Sequence, residues 1–185
     1  MTMPHIEPLP PEDIHDAEIR ELIERGKKLG VPDEVFSGIV ARVPSYAKAL
    51  LRAMLVSHAE GNIDHKLKEI IRVQLARTAG DPYFSNLRSA NAIAQGLTEA
   101  AINAGCGDYD DDARFSEAEK SALRYAEQMY LDPNKVDAAF YAELKKYYTE
   151  AQIMELGAFI AFHYGMQIFM RTLGAIPLGG PKTAP

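Results

Sequence analysis

Apolar residues recur three and four positions apart along most of the chain, and none of these runs shows the sustained alternation typical of β-strands. Helix start and stop signals bound the runs. Capping boxes stand at Ser116–Glu119 and Thr149–Gln152, and Gly30 and Gly174 follow two of the runs. We therefore predict an all-α, single-domain bundle of about eight or nine helices.

The boundaries of these helices follow from the same signals. The predicted helices cover residues 14–29, a short segment after Asp33, 46–59, 64–79, 82–95, 98–105, 116–131, 132–148 and 149–173. Four prolines in residues 1–12 predict an extended N-terminal arm, residues 13–174 form the predicted helical domain, and residues 175–185 form a predicted C-terminal tail.

Composition agrees with one globular domain, since 185 residues with 47% hydrophobic and 25% charged side chains lie near the soluble average. The net charge of −6 comes without a basic cluster, so we expect no nucleic-acid binding. The N-terminus lacks the features of a secretory signal. The most apolar stretch, residues 156–170, is short for a bilayer and contains His163 and Gln167. We expect a cytoplasmic protein that does not bind membranes.

The chain has a single cysteine, Cys106. One thiol cannot form an intrachain disulfide, a Cys-x-x-Cys redox pair or a cysteine-rich zinc site. No two histidines stand at His-x-x-His spacing, and the sequence contains no glycine-rich phosphate loop. We therefore expect neither a metal nor a cofactor.

Glu69 is the first candidate catalytic residue. It begins a stripe of small apolar residues at helical spacing, continued by Val73, Ala76 and Gly80. A carboxylate in that position either is half-buried and paired or faces a cleft. The alternative is an ordinary surface ion pair with Arg72, three residues further along the same helix.

The final predicted helix supplies the second candidate. His163 and Gln167 lie one turn apart on an apolar face, where burial would keep the histidine neutral and suited to act as a base. The alternative is a core histidine with its hydrogen bonds satisfied. On the same helix Gly157, Ala161 and Gly165 form a line that would let another helix approach closely.

A third group of polar side chains lies in the segment GDPYFSNLRSANA. Tyr83, Asn86 and Arg88 bring hydrogen-bonding groups near the end of the Glu69 helix. They either line a substrate site or form a solvated turn.

From about Pro44 to Gly174 the chain resembles the carboxymuconolactone decarboxylase / alkyl hydroperoxidase D superfamily. The resemblance is carried by IDHKLKEIIRVQLARTAGDPYFSNLRSANAIAQGLTEAAINAG, FSEAEKSALRYAEQMY and TEAQIMELGAFIAFHYGMQIFMRTLGA. It implies an all-helical fold that assembles as trimers or hexamers. Glu69 is the residue best supported as a carry-over.

The thiol peroxidase branch of that superfamily places two cysteines 12 and 15 positions after the glutamate and a histidine at 19. Here those positions are Asp81, Phe84 and Arg88. The resemblance therefore implies the fold without the dithiol chemistry, which needs an attacking and a resolving thiol.

Three functions follow as hypotheses. The first is a cofactor-independent lyase, decarboxylase or isomerase acting on a small carboxylated or lactone-like substrate. In it Glu69 or His163 moves a proton, Arg88 binds the substrate carboxylate, and the side chains that orient the substrate are Tyr83, Tyr164 and Gln167. The second is a peroxidase-related antioxidant protein that depends on Cys106. The third is a non-catalytic oligomeric scaffold in which Glu69 and Arg88 form a closed salt bridge.

Overall fold

The computed structural model describes residues 4–177, which contain helices, turns and loops and no strand. The nine α-helices in this part of the chain are α1 (Ala17–Leu29), α2 (Glu34–Val40), α3 (Pro44–Ala59), α4 (His65–Thr78), α5 (Ala90–Ala94), α6 (Glu99–Gly105), α7 (Glu117–Leu131), α8 (Ala138–Leu144) and α9 (Glu150–Leu173). Short 3₁₀ turns occur at Pro11–Asp13, Tyr109–Asp111 and Pro133–Lys135. The all-α prediction is confirmed.

Local capping chemistry sets several of the helix boundaries. Ser116 and Thr149 each accept a hydrogen bond from the third residue of the following helix, and both predicted capping boxes form. Gly30 and Gly174 end α1 and α9 with φ values of 80° and 64°, in the left-handed region that favours glycine.

The helix predicted over residues 82–95 is wrong for its first half. Residues 81–89 form turns and loop, and α5 begins only after Ser89, whose hydroxyl caps it. The carboxylate of Asp81 accepts the backbone N–H groups of Tyr83 and Phe84 (2.9 and 3.1 Å), which favours a turn over a helix here.

The helix predicted over residues 132–148 is also interrupted. A 3₁₀ turn occupies Pro133–Lys135, and α8 starts separately after Asp137, whose carboxylate accepts the N–H of Phe140 at 2.9 Å. Of the predicted arm and tail, residues 1–3 and 178–185 lie outside the described residues.

The helix α4 is central to the packing. One apolar cluster lies among α4, α6, α7 and the first half of α9, and a second lies among α1, α2, α3 and the end of α9. The helices α3, α4 and α9 contact one another between these clusters. Polar side chains that meet at this junction are buried on every side.

The helix α9 is the one helix in residues 4–177 that is long and apolar enough to cross a membrane, and 39% of its most apolar window is buried in the fold. Its inner face packs on α3, α4 and α7. Its outer face is exposed and apolar, and consists of Ala151, Met154, Ala158, Ala161, Gly165, Ile168 and Phe169.

A buried ion pair ties the loop between α3 and α4 to α9. The side chain of Lys68 is 1% exposed, and its Nζ lies 2.5 Å from Oε1 of Glu155 and donates to two backbone carbonyls at the end of α3. Glu155 also accepts the N–H groups of Asn62 and Ile63 (2.8 and 3.2 Å). The loop and both helices therefore depend on one carboxylate.

We expect Glu155→Ala to lower the free energy of unfolding by about 3 kcal/mol, because it leaves the buried Lys68 ammonium without its counter-charge. Glu150 lies on the same helix as Glu155 and forms an exposed ion pair with Lys145. Glu150→Ala should therefore change the free energy of unfolding by less than about 1 kcal/mol. Urea denaturation at pH 7 measures both. Equal losses in the two variants would contradict the role given to Glu155.

Candidate functional site

Glu69 lies at the junction of α3, α4 and α9 with no exposed surface. Arg72 donates two hydrogen bonds to its carboxylate, from Nε to Oε2 at 2.8 Å and from Nη2 to Oε1 at 2.7 Å. Nε2 of His58 lies 2.9 Å from Oε2, and the backbone N–H of Ser89 donates to Oε1 at 2.8 Å. The pair with Arg72 that the spacing allowed is thus present, but it is buried and bidentate.

Arg72 connects this pair to the rest of the junction. Its Nη1 and Nη2 donate to the backbone carbonyls of Phe84 and Leu87 at 2.7 and 2.8 Å. Its own carbonyl accepts Nε2 of Gln167 at 2.8 Å. Because the carbonyls of residues 84 and 87 bond to Arg72, this segment is held as a turn against α4.

The charge of Glu69 is fixed by these partners. Burial by itself would raise the pKa of the carboxyl group, but the ion pair with Arg72 and the hydrogen bond with His58 outweigh it and hold the pKa far below its usual range. Both oxygens already carry two bonds each. Glu69 is therefore an ionised group with no lone pair left for a substrate.

His58, near the end of α3, is a further functional candidate that the sequence interpretation missed. In the neutral tautomer that the network favours, its Nε2–H donates to Glu69, and its Nδ1 is then a lone pair buried without a partner. Burial lowers the pKa of His58. His65 holds the backbone in place, since its Nδ1 lies 2.7 Å from the carbonyl of His58.

His163 faces this histidine from α9. Its ring centroid is 5.9 Å from that of His58 and 4.2 Å from that of Phe159. The side chain is fully buried, burial lowers its pKa well below the ordinary value, and neither ring nitrogen has a hydrogen-bond partner among residues 4–177. His163 is therefore a neutral imidazole that keeps both a donor and an acceptor free.

Four of the six buried polar atoms without a partner among the described residues belong to three side chains of this junction. Nδ1 of His58, both nitrogens of His163 and Oε1 of Gln167 are buried without partners in the described part of the chain. An unsatisfied buried polar group costs about 1–3 kcal/mol, so a native fold retains such a cluster for water, a ligand or catalysis. We call Glu69, His58, His163 and Gln167 the histidine centre.

The other predicted site residues lie apart from it. Arg88 pairs with Glu99 at 2.7 Å near the surface and donates to the carbonyl of Ser85, so it does not contact Glu69. The fully buried Tyr83 donates its hydroxyl hydrogen to Asp33 and accepts the N–H of Phe36 at 3.2 Å.

Tyr164 stands edge-on to Tyr130 with centroids 4.9 Å apart. Both rings line a cavity of about 150 Å³ together with Leu75, Met129 and Ile160. The structure thus places Glu69, His163 and Gln167 at the junction of α3, α4 and α9, whereas Arg88, Tyr83 and Tyr164 have other partners.

One signal in the sequence pointed to His58. It continues the buried stripe of α3 formed by Ala47, Leu51 and Leu55, at the same three- and four-residue spacing. A histidine that extends an apolar stripe is buried with it. The role of Arg72 had no comparable signal, because only the fold shows that its partners are all buried.

Access to the histidine centre is closed in this conformation. None of five cavities found within residues 4–177 is lined by Glu69, His58 or His163. The positions of the missing thiol pair are filled by the capped turn at Asp81 and by the buried ring of Phe84.

The lone thiol lies elsewhere. Cys106 follows α6 and is partly buried, and this burial raises the pKa of its thiol to about 11. At neutral pH it is protonated, and the thiolate that redox chemistry requires is scarce.

We expect the stability of the protein to fall as the pH drops from 7.5 to 5.5. Below about pH 6.5 the unfolded chain protonates its histidines while the buried, depressed ones stay neutral, so the unfolded state binds more protons. Each such histidine lowers the free energy of unfolding by about 1.4 kcal/mol as the pH falls over this range. Urea unfolding of His163→Leu should show that much less pH dependence than the wild type, whereas the exposed His15→Leu should match it. If His163→Leu kept the full pH dependence of the free energy of unfolding, His163 could not be a buried neutral histidine.

The fold is similar to that of several solved structures, whereas comparisons of the sequence find no match. No protein-family model matches the chain, and no curated protein matches it. Among solved structures, the debrominase Bmp8 superposes with a TM-score of 0.78 at 21% identity, covering 93% of this chain and 91% of that one. An uncharacterized peroxidase-related protein from Ralstonia eutropha JMP134, described as an alkylhydroperoxidase AhpD core, gives 0.76 at 17% identity over 93% and 92%. A peroxidase-related protein from Silicibacter sp. TM1040 gives 0.75 at 14% identity over 96% and 95%. The chain shares the all-α fold of these three proteins.

Proposed function

We propose that this protein is a cofactor-independent, non-thiol enzyme of the lyase, decarboxylase or isomerase type. Its substrate would be a small carboxylated or lactone-like molecule. The observation that carries the proposal is the pair of neutral, buried histidines, His58 and His163, which retain unpaired nitrogens and whose ring centroids lie 5.9 Å apart beside an ionised carboxylate. General acid–base catalysis needs such groups close together and away from water.

In this proposal Glu69 positions a histidine and carries no proton itself. It holds Nε2–H of His58, so Nδ1 is presented as the base, and its charge stabilises the imidazolium that forms when Nδ1 takes a proton. His163 can donate to the substrate oxygen that gains charge, and the free amide oxygen of Gln167 can accept a hydrogen bond. Arg88 takes no part, because Glu99 already neutralises it.

A substrate must displace the side chains that cover the histidine centre. Phe162 is half-buried and stands edge-on to His163 with ring centroids 5.4 Å apart, and Met166 lies one turn further along α9. Both residues are partly exposed, so a change of side-chain rotamer can uncover the centre without unfolding the helix. Movement of these two side chains is the route of entry that we favour.

The direct test is a thermal-shift screen of small unsaturated carboxylates and lactones. A binder at ten times its Kd should raise the Tm of the wild type by about 3–5 °C. His163→Leu should abolish this shift. It should still fold, because it removes two unpaired polar atoms from an apolar setting.

Arg88→Ala is the matched control and should keep the shift. If it loses the shift while His163→Leu keeps it, the substrate site lies at the turn that carries Arg88. If no compound in the panel stabilises the wild type, the enzyme proposal fails. Peroxide turnover that disappears in Cys106→Ser would instead establish the thiol-dependent alternative.

Two observations support other functions. The bidentate Glu69–Arg72 pair and the absence of a described cavity at the histidine centre favour a non-catalytic scaffold. The structures of similar fold include proteins named peroxidase-related, and a cysteine variant of the debrominase binds 2,3,4-tribromopyrrole. We rank thiol chemistry lower here because Cys106 is protonated and lies at the end of α6, which is not one of the three helices of the histidine centre.

We also propose that the protein is cytoplasmic and self-associates as a trimer or hexamer through the outer face of α9. Exposed residues on that face recur with the three- and four-residue spacing of a helix–helix seam, from Met154 to Ile168. Between residues 151 and 170 the single charged side chain is Glu155, which pairs with Lys68, and the one histidine, His163, is buried and neutral. An apolar face of this length is typical of an interface.

We expect Gly165→Arg to shift the molar mass in solution to that of a monomer. A Cβ at Gly165 meets nothing within 4 Å, so the substitution leaves the isolated fold intact but places a charge in the seam. Ala139→Arg, on the exposed surface of α8, is the control. Light scattering after size exclusion reads the masses, and a wild type that is monomeric at about 100 µM would end the proposal.

A further inference from the structure

The N-terminal arm is fastened to the bundle along α2. The N–H of Leu9 donates to the carbonyl of Gly38 at 3.0 Å, and Nε of Arg42 donates to the carbonyl of Glu7 at 2.6 Å. A Cβ at Gly38 would stand 2.7 Å from both the Leu9 carbonyl oxygen and the Cβ of Pro8. Glycine at this position is what lets the arm lie flat on the helix.

The arm closes one side of a cavity of about 190 Å³ against α1 and α2. Its apolar wall is formed by Leu9, Pro11, Ile14 and Ile23. An engineered protein cavity of about 150 Å³ is known to bind benzene, so this space accepts one aromatic ring or a short branched chain. It shares no lining residue with the histidine centre.

The lining of this cavity includes one hydroxyl side chain. It belongs to Ser37, a residue that is 2% exposed. A hydroxyl can donate one hydrogen bond and accept two. The cavity therefore offers a polar contact at a defined point of an otherwise apolar wall.

The charged side chains around the cavity leave one cation available. Lys27 is held between Glu24 at 2.8 Å and Glu34 at 2.6 Å. Arg20 has no ion pair within the described residues, and its guanidinium makes a single long hydrogen bond of 3.4 Å to the carbonyl of His15. A guanidinium with free N–H groups beside an apolar cavity matches a carboxylate.

We propose that this cavity is a binding site for a small monocarboxylate with one aromatic ring or a branched aliphatic body. The body occupies the apolar space against Ile14 and Ile23. The carboxylate binds Arg20, and Ser37 supplies a hydrogen bond from inside the cavity. The site is separate from the histidine centre and does not depend on the function proposed for it.

Benzoate is the probe. Benzyl alcohol, which has the ring without the charge, and acetate, which has the carboxylate without the ring, are its controls. Chemical-shift titration of the full chain should show saturable benzoate binding, weaker benzyl alcohol binding and none for acetate at equal concentrations. Arg20→Gln should raise the Kd for benzoate at least fivefold and leave the Kd for benzyl alcohol unchanged. Arg25→Gln, an exposed charge on the same helix outside this cavity, should change neither.

Two further variants address the cavity itself. Ser37→Ala should weaken benzoate about two- to fivefold, and Ile23→Trp should fill the space and abolish binding by both aromatic probes. The proposal is overturned if the wild type shows no saturable benzoate binding, or if Arg20→Gln and Arg25→Gln behave alike. Should Ile23→Trp fail to fold, unchanged benzoate affinity in Ser37→Ala together with Arg20→Gln overturns it equally.

Discussion

The junction of α3, α4 and α9 depends on the buried ion pair between Glu69 and Arg72. Both side chains are fully buried, and taking two charges out of water is costly unless every hydrogen-bonding position is filled. Here the positions are filled by groups from two other parts of the chain: His58 from α3, and two carbonyls and the N–H of Ser89 from the segment before α5. The pair therefore fixes the relative placement of elements that are distant in sequence.

Two kinds of polar group lie around this pair: an ionised carboxylate with every hydrogen-bonding position filled, and neutral histidines with free nitrogens. Glu69 is ionised and saturated, so it orients its neighbours without reacting. His58 and His163 are neutral and retain free nitrogens, which is the state that proton transfer requires. Burial lowers the pKa of both histidines, so they hold this state at neutral pH. Structure and acid–base potential thus come from one network, and a change in either charged residue would disturb both.

Much of the fold was predictable because it rests on short-range chemistry. Capping boxes at Ser116 and Thr149 and glycines at the ends of α1 and α9 act within a few residues, so the sequence shows them directly. The segment 82–95 was mispredicted as one helix for the opposite reason. Arg72, on the preceding helix, takes two of its backbone carbonyls, and no pattern within the segment reveals a competitor from outside it.

The amino-acid sequence by itself determined an all-α domain, the lack of a thiol pair, and a glutamate and a histidine on apolar helix faces. Only the tertiary structure decided that Glu69 is bound by Arg72 and not by Arg88, and that His58 completes the histidine centre. The physical reason is the range of the interactions. Helix periodicity and caps join residues a few positions apart, whereas the cost of burying a charge is met by whichever donors the packing brings near.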